Sequence, residues 1–175
     1  MGHALVVGGT GMLAGVVKVL SARGWRISVL ARGRSRLDAL APLPGVTAYQ
    51  ADYRDPPAFG AVVRGVLPVN LVVAWIHSTA PEAPLQLAQL VADAERSVAY
   101  FHILGSSGGF LVPKVEDLTA IQGLRYHQIT LGFMRESGAS RWLTDAEISV
   151  GVIRAIDTGT PRSIVGQLEP WSQRP

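Results

Sequence analysis

The sequence predicts a doubly wound α/β fold, and three observations predict it. Strand-like apolar runs alternate with helix-spaced apolar segments from residue 3 to residue 124. Asn70 to Ile76 (Asn-Leu-Val-Val-Ala-Trp-Ile) is a continuous apolar run, the pattern of a parallel strand covered on both faces. Near the amino end, Ala4-Leu5-Val6-Val7 breaks into a glycine cluster and resumes with helical spacing, as a strand, tight turn and helix do. Right-handed crossovers then lead to one domain over residues 1–175, with a mostly parallel sheet of about six or seven strands and helices on both faces. That arrangement is of the Rossmann type.

The elements follow in order. A first helix runs from about Met12 to Ala22, with Leu13, Val16, Val17 and Leu20 facing the sheet, and ends at Gly24 as a C′ glycine. Arg26 to Ala31 is the second strand. Arg32 to Arg36 lead into a short helix around Leu37 to Ala41 that Pro42 and Pro44 stop. Val46 to Ala51 reads as a third strand. Asp55 is placed to cap the helix opening with Pro56-Pro57 and carrying Phe59, Val62, Val63 and Val66. After the 70–76 strand, Pro84 to Glu95 is amphipathic, with Leu85, Leu87, Leu90 and Val91 inward. Ala99 to Leu104 is a fifth strand ending in Gly105-Ser106-Ser107-Gly108-Gly109, and Phe110 to Leu124 reads as a loop and then a short helix. Tyr126 to Met134 reads as one sixth strand, followed by a polar loop. Thr144-x-x-Glu147 is a capping box for a helix to about Ile156 that Thr158-Gly159 ends; Arg162 to Leu168 is the last strand.

Composition narrows the function classes. The net charge is +3, all but two (Lys18 and Lys114) of the 16 basic side chains are arginine, and they are spread along the chain apart from Arg32, Arg34 and Arg36. No basic stripe with interleaved aromatics is present, which argues against a nucleic-acid partner. No apolar stretch approaches the ~20 residues of a membrane helix, and no signal-peptide pattern is read at the amino end. With no cysteine, thiol catalysis and cysteine-ligated metals are excluded. His3, His102 and His127 lack metal-ligand spacing, so no metal is expected. A cytoplasmic location is expected, and apolar surface on the later helices would permit a homodimer.

The glycine cluster carries the chemistry. Gly9-x-Gly11-x-x-Ala14 fits the dinucleotide fingerprint with alanine in the third place. Gly8 and Gly9 let the chain turn, Gly11 lets backbone N–H groups approach a pyrophosphate, and a small residue at 14 lets the helix lie close to the strand. Thr10, Met12 and Leu13 complete the expected contact stretch. Asp52, closing the third strand, and Trp75, closing the fourth, stand at carboxyl ends of strands, where such folds bind ligands.

With this turn, strand rhythm and Gly-Ser-Ser-Gly-Gly segment, the chain resembles the short-chain dehydrogenase/reductase superfamily. Val7-Gly-Gly-Thr-Gly-Met-Leu-Ala14 looks most like the turn of its extended and atypical members, and the resemblance covers roughly residues 3 to 134. It implies a catalytic serine after the fifth strand, for which Ser106 and Ser107 are the candidates. The family's Tyr-x-x-x-Lys pair is missing: Tyr126 is followed four residues later by Thr130. His77, just past the fourth strand, is a further proton-transfer candidate, since imidazole titrates near neutrality. His102, inside the fifth strand, reads as a buried, hydrogen-bonded core histidine; Trp142 reads as core or rim packing.

Cofactor preference is read from the end of the second strand. An NAD site carries an acidic residue there. This chain has Ala31-Arg32-Gly33-Arg34-Ser35-Arg36, with no carboxylate, and guanidinium groups suit a 2′-phosphate. NADP(H) is therefore expected over NAD(H), with Arg32, Arg34 and Ser35 as phosphate-side donors. The sequence points to an NADP(H)-dependent oxidoreductase acting on a small carbonyl or alcohol; the alternative is a non-catalytic NADP(H)-sensing or regulatory protein.

Overall fold

The computed structural model describes residues 2–93, 95–106, 115–136 and 138–175. Seven parallel strands form one sheet in the order β3-β2-β1-β4-β5-β6-β9. They are β1 (His3–Val7), β2 (Arg26–Ala31), β3 (Val46–Gln50), β4 (Leu71–Trp75), β5 (Val98–Gly105), β6 (Leu124–Leu131) and β9 (Arg162–Val165). The helices are α1 (Ala14–Ala22), α2 (Arg34–Asp38), α3 (Pro56–Val66), α4 (Ala83–Val91), α5 (Val115–Thr119) and α6 (Asp145–Thr158).

Side chains alternate across β1, and this alternation builds two cores. Ala4 and Val6 pack with Val16, Val17 and Leu20 of α1 and Ile148 and Val152 of α6. Leu5 and Val7 face Phe59 and Val63 of α3 and Leu87 and Val91 of α4. The expected doubly wound architecture is the observed one. Among the described residues, no helix is long and apolar enough to cross a membrane.

Several expected elements move. α1 begins at Ala14 because residues 8–13 form the turn. α2 occupies 34–38 instead of 37–41: Gly33, in extended conformation, caps it, and residues 40–43 tighten into turns ahead of Pro44. α4 stops at Val91, where Ala92 turns extended, short of the expected Glu95. β9 ends at Val165 because Gly166 takes φ +80°, so residues 166–168 leave the strand.

The largest correction concerns residues 126–142. The single expected strand is two: β6 ends at Leu131, and β7 (Phe133–Glu136) leaves the main sheet to pair antiparallel with β8 (Ala139–Trp142). The expected polar loop is thus half of a hairpin. Gly132 makes the bend, since a Cβ there would overlap the carbonyl oxygen of Gln167. Phe133 and Gln167 exchange both backbone hydrogen bonds, at 2.9 and 2.8 Å, across the crossing. Both Leu131 and Phe133 are buried, so apolarity continues through a bend that periodicity alone reads as one strand.

The capping box at the start of α6 forms as expected: Thr144 Oγ1 accepts from the Glu147 N–H at 3.2 Å, and the Thr144 N–H donates to Glu147 Oε2 at 2.8 Å. Asp55 caps α3 through Ala58 N–H at 3.2 Å.

Candidate functional site

The chain leaves β1 at Val7, between β2 on one side and β4 on the other, which is where strand order reverses. Gly8 takes φ +76° and donates its N–H to Leu30 O at 2.9 Å. A Cβ there would stand 2.5 Å from Trp75 O, so the residue is wedged between the ends of β2 and β4. Gly9 sits directly on the core, where a Cβ would meet Val6 at 2.9 Å and Val29 at 3.0 Å. Gly11 is open: the nearest atom to its Cβ position is Arg36 Nη1 at 4.0 Å. One glycine therefore makes the turn, one seats it on the sheet, and one leaves its backbone bare to a ligand. Ala14 packs against the core that includes β1, and a separate close approach between helices falls at Gly15, where a Cβ would stand 2.5 Å from Ser149 Oγ on α6.

Above this turn opens a cleft of about 740 Å³. It brings together Gly8, Thr10, Gly11, Met12, Arg32, Ser35, Asp52, Trp75 and His77. Three of the expected cofactor contacts stand apart. Gly9 is beneath the turn, the Leu13 side chain is fully buried in the core, and the exposed Arg34 does not line the cleft. Arg36, Tyr53 and Arg54 line it without having been singled out. α2 begins at Arg34, and of its residues Ser35 and Arg36 line the cleft while Arg34 does not.

The wall opposite the turn is electrostatically ordered. Asp52 is chelated by its neighbour: Arg54 Nη2 donates to Oδ2 at 2.7 Å, and the Arg54 N–H donates to Oδ1 at 2.9 Å. These bonds, with smaller attraction from Arg32, pull the Asp52 carboxyl down to about 2. The Arg32 guanidinium lies 5.7 Å from the centre of the Tyr53 ring. Tyr53 is buried, and its hydroxyl accepts the His77 backbone N–H at 3.3 Å. No carboxylate follows β2; the Ala31 carbonyl there is taken by Ala51 N–H at 3.0 Å.

A second, smaller hollow of about 220 Å³ adjoins the turn, lined by Met12, Gly105, Ser106, Leu131, Trp142 and Ile148, among others. Met12 lines both spaces, so the two meet at the glycine turn. Trp142 is 50 % exposed, a rim residue. Ser106 and His77 stand in different spaces, and Ser107 lies outside the described residues. His77 Nδ1 accepts the Thr79 N–H at 3.3 Å, which leaves Nε2 as the other ring nitrogen of an exposed side chain. His102 is 1 % exposed; its Nδ1 meets Tyr126 Oη at 3.1 Å, and its Nε2 is without a partner among the described residues. Burial lowers its pKa to about 4.

No family model and no curated protein matches the chain. Solved structures do. The chain is similar to the bulky-bulky ketone specific alcohol dehydrogenase from Comamonas testosteroni, at 15 % identity over 98 % of this chain and 89 % of that one, TM-score 0.71. It is similar to BdcA in complex with NADPH, at 15 % identity over 95 % and 93 % of the two chains, TM-score 0.72. A short-chain dehydrogenase from Sphingobium yanoikuyae in complex with NADPH gives 17 % identity over 94 % and 87 %, TM-score 0.68. By these likenesses, the chain has the fold of the short-chain dehydrogenase/reductases.

Proposed function

We propose that the cleft binds NADP(H) and that the chain is an oxidoreductase acting on a small carbonyl or alcohol. The observation that carries this is the pairing of a bare glycine backbone with two cleft-lining arginines, Arg32 and Arg36, where an NAD site would carry a carboxylate. The open space over Gly11 fits a pyrophosphate, and the guanidinium groups fit a 2′-phosphate. Structural neighbours crystallised with NADPH support the reading. Asp52 is already bonded to Arg54, so its place in the site is as a fixed charge facing the adenosine side.

When bound, the nicotinamide supplies a hydride acceptor or donor. The residues of this chain shape what surrounds it. Ser106 offers the small hollow a hydroxyl, Trp142, Leu131 and Ile148 give it apolar walls, and His77 lines the neighbouring cleft. With Ser106 the one serine among the described residues that line the hollow, the missing Tyr-x-x-x-Lys favours a second reading: NADP(H) sensing without turnover. A cytoplasmic setting belongs to both readings.

The test is a titration of NADPH and NADH followed by tryptophan fluorescence, then NADPH oxidation across a panel of carbonyl compounds. Preferential NADPH binding with turnover supports the oxidoreductase. Tight binding with no turnover across the panel supports the sensor. Binding of neither dinucleotide overturns both.

A further inference from the structure

Ser149 lies on α6, far from the glycine turn in sequence, yet its hydroxyl donates to the Met12 carbonyl at 2.9 Å. The residue is 7 % exposed, and it fits only because position 15 has no side chain. Met12 is the turn residue that lines both the large cleft and the small hollow. The peptide joining Met12 to Leu13 is trans, so its carbonyl and its N–H point in opposite directions. Tying the carbonyl to α6 therefore aims the Leu13 N–H away from α6. Among the described residues nothing accepts that N–H, which is one of the donors a helix leaves unpaired at its amino end. Leu13 itself lines neither space and its side chain is buried, so this N–H, on the peptide it shares with the lining residue Met12, is what the residue has left to offer a ligand.

We propose that Ser149 is a positioning residue for the glycine turn. It locks the Met12–Leu13 peptide so that a donor, and not a carbonyl oxygen, faces an anion held there. The inference rests on the cofactor reading above and adds a device to it. Were the peptide to flip, a partial negative charge would meet the phosphates. The tie also joins the turn to a larger unit. Glu147, two residues before Ser149, holds Arg141 of β8 through two hydrogen bonds of 2.9 Å, and Arg141 in turn pairs with Glu136 of β7. The hairpin and the turn are thus both fastened to α6 by polar contacts, two residues apart.

The experiment compares wild type and Ser149→Ala in titrations of NADPH, NADH and adenosine 2′-monophosphate. The last carries a 2′-phosphate but no pyrophosphate, so it reads the arginine side alone. Expected is an equal loss for NADPH and NADH, about 3- to 10-fold for one hydrogen bond, with adenosine 2′-monophosphate unchanged. Unchanged NADPH binding overturns the inference. So does a parallel loss for all three ligands, which would report general loosening. Gly15→Ala, whose Cβ would push Ser149 off the carbonyl, is expected to give the same pattern if Ser149→Ala does not fold. A wild-type chain that binds neither dinucleotide removes the cofactor reading and this inference together. A wild type that binds, with an equally tight Ser149→Ala, removes this inference alone.

Discussion

Arg34 and Arg36 are two positions apart, and only one of them reaches the cleft. Arg36→Ala and Arg32→Ala are each expected to weaken NADPH by about 10- to 100-fold, the ~1.5–3 kcal/mol of a charged hydrogen bond. NADH, without the 2′-phosphate, is expected to change little, and Arg34→Ala to leave both unaffected. Fluorescence titration of the three variants checks this; equal losses for the two cofactors would contradict a phosphate role. The arginine cluster was legible in the sequence, but which member faces inward depends on helical phase. That phase is fixed by Gly33 as the cap, which moves α2 by three residues. Tyr53 was illegible for a different reason. A tyrosine beside two charged residues reads as loop, whereas its hydroxyl is folded inward to hold the His77 backbone.

At the scale of elements, the start of α6 was the most legible feature and the hairpin before it the least. Thr144-x-x-Glu147 specifies its own geometry locally. The hairpin depends on Gly132 passing Gln167, a contact between residues 35 positions apart that no window of sequence displays. Glu147 joins the two elements. Hydrogen bonds from Arg141, then from the Thr144 backbone, lower its pKa from 4.5 to about 2. A carboxyl with a depressed folded pKa gives stability that is complete above its unfolded value and is lost as pH falls through the folded one. The clamp is therefore expected to be intact above about pH 4.5 and to fail between pH 4.5 and 2. Protection against hydrogen exchange at the amides of residues 144–148, relative to the intrinsic rate at each pH, should fall in that window. Glu147→Gln should show the lowered protection already at neutral pH; protection equal to wild type would sever the carboxylate from the clamp.

At the scale of the molecule, two buried imidazoles set how the fold answers to acid. Desolvation lowers the pKa of both His3 and His102, the latter to about 4. The unfolded chain takes up protons from about pH 6.5 downward while the folded chain does not, so stability is full above 6.5 and declines toward pH 4. For His102 the decline amounts to ~3 kcal/mol, at about 1.4 kcal/mol per pKa unit. His102→Phe is expected to flatten the pH dependence of urea unfolding between pH 6.5 and 4; an unchanged slope would assign the acid response elsewhere. The parallel sheet with helices on both faces was legible because continuous apolar strands and glycine punctuation encode it, whereas the packing around His102 was only partly so. Strand order also dictates where the sheet breathes. β1 is buried along its whole length inside the sheet, beside the central β4, while β3 and β9 form half-exposed margins. Backbone amides in β1 should open only when the whole molecule does, and those in β3 far sooner. The glycine turn hangs from the most persistent strand and the Asp52–Arg54 wall from a fraying one, so the cleft has one fixed jaw and one that yields.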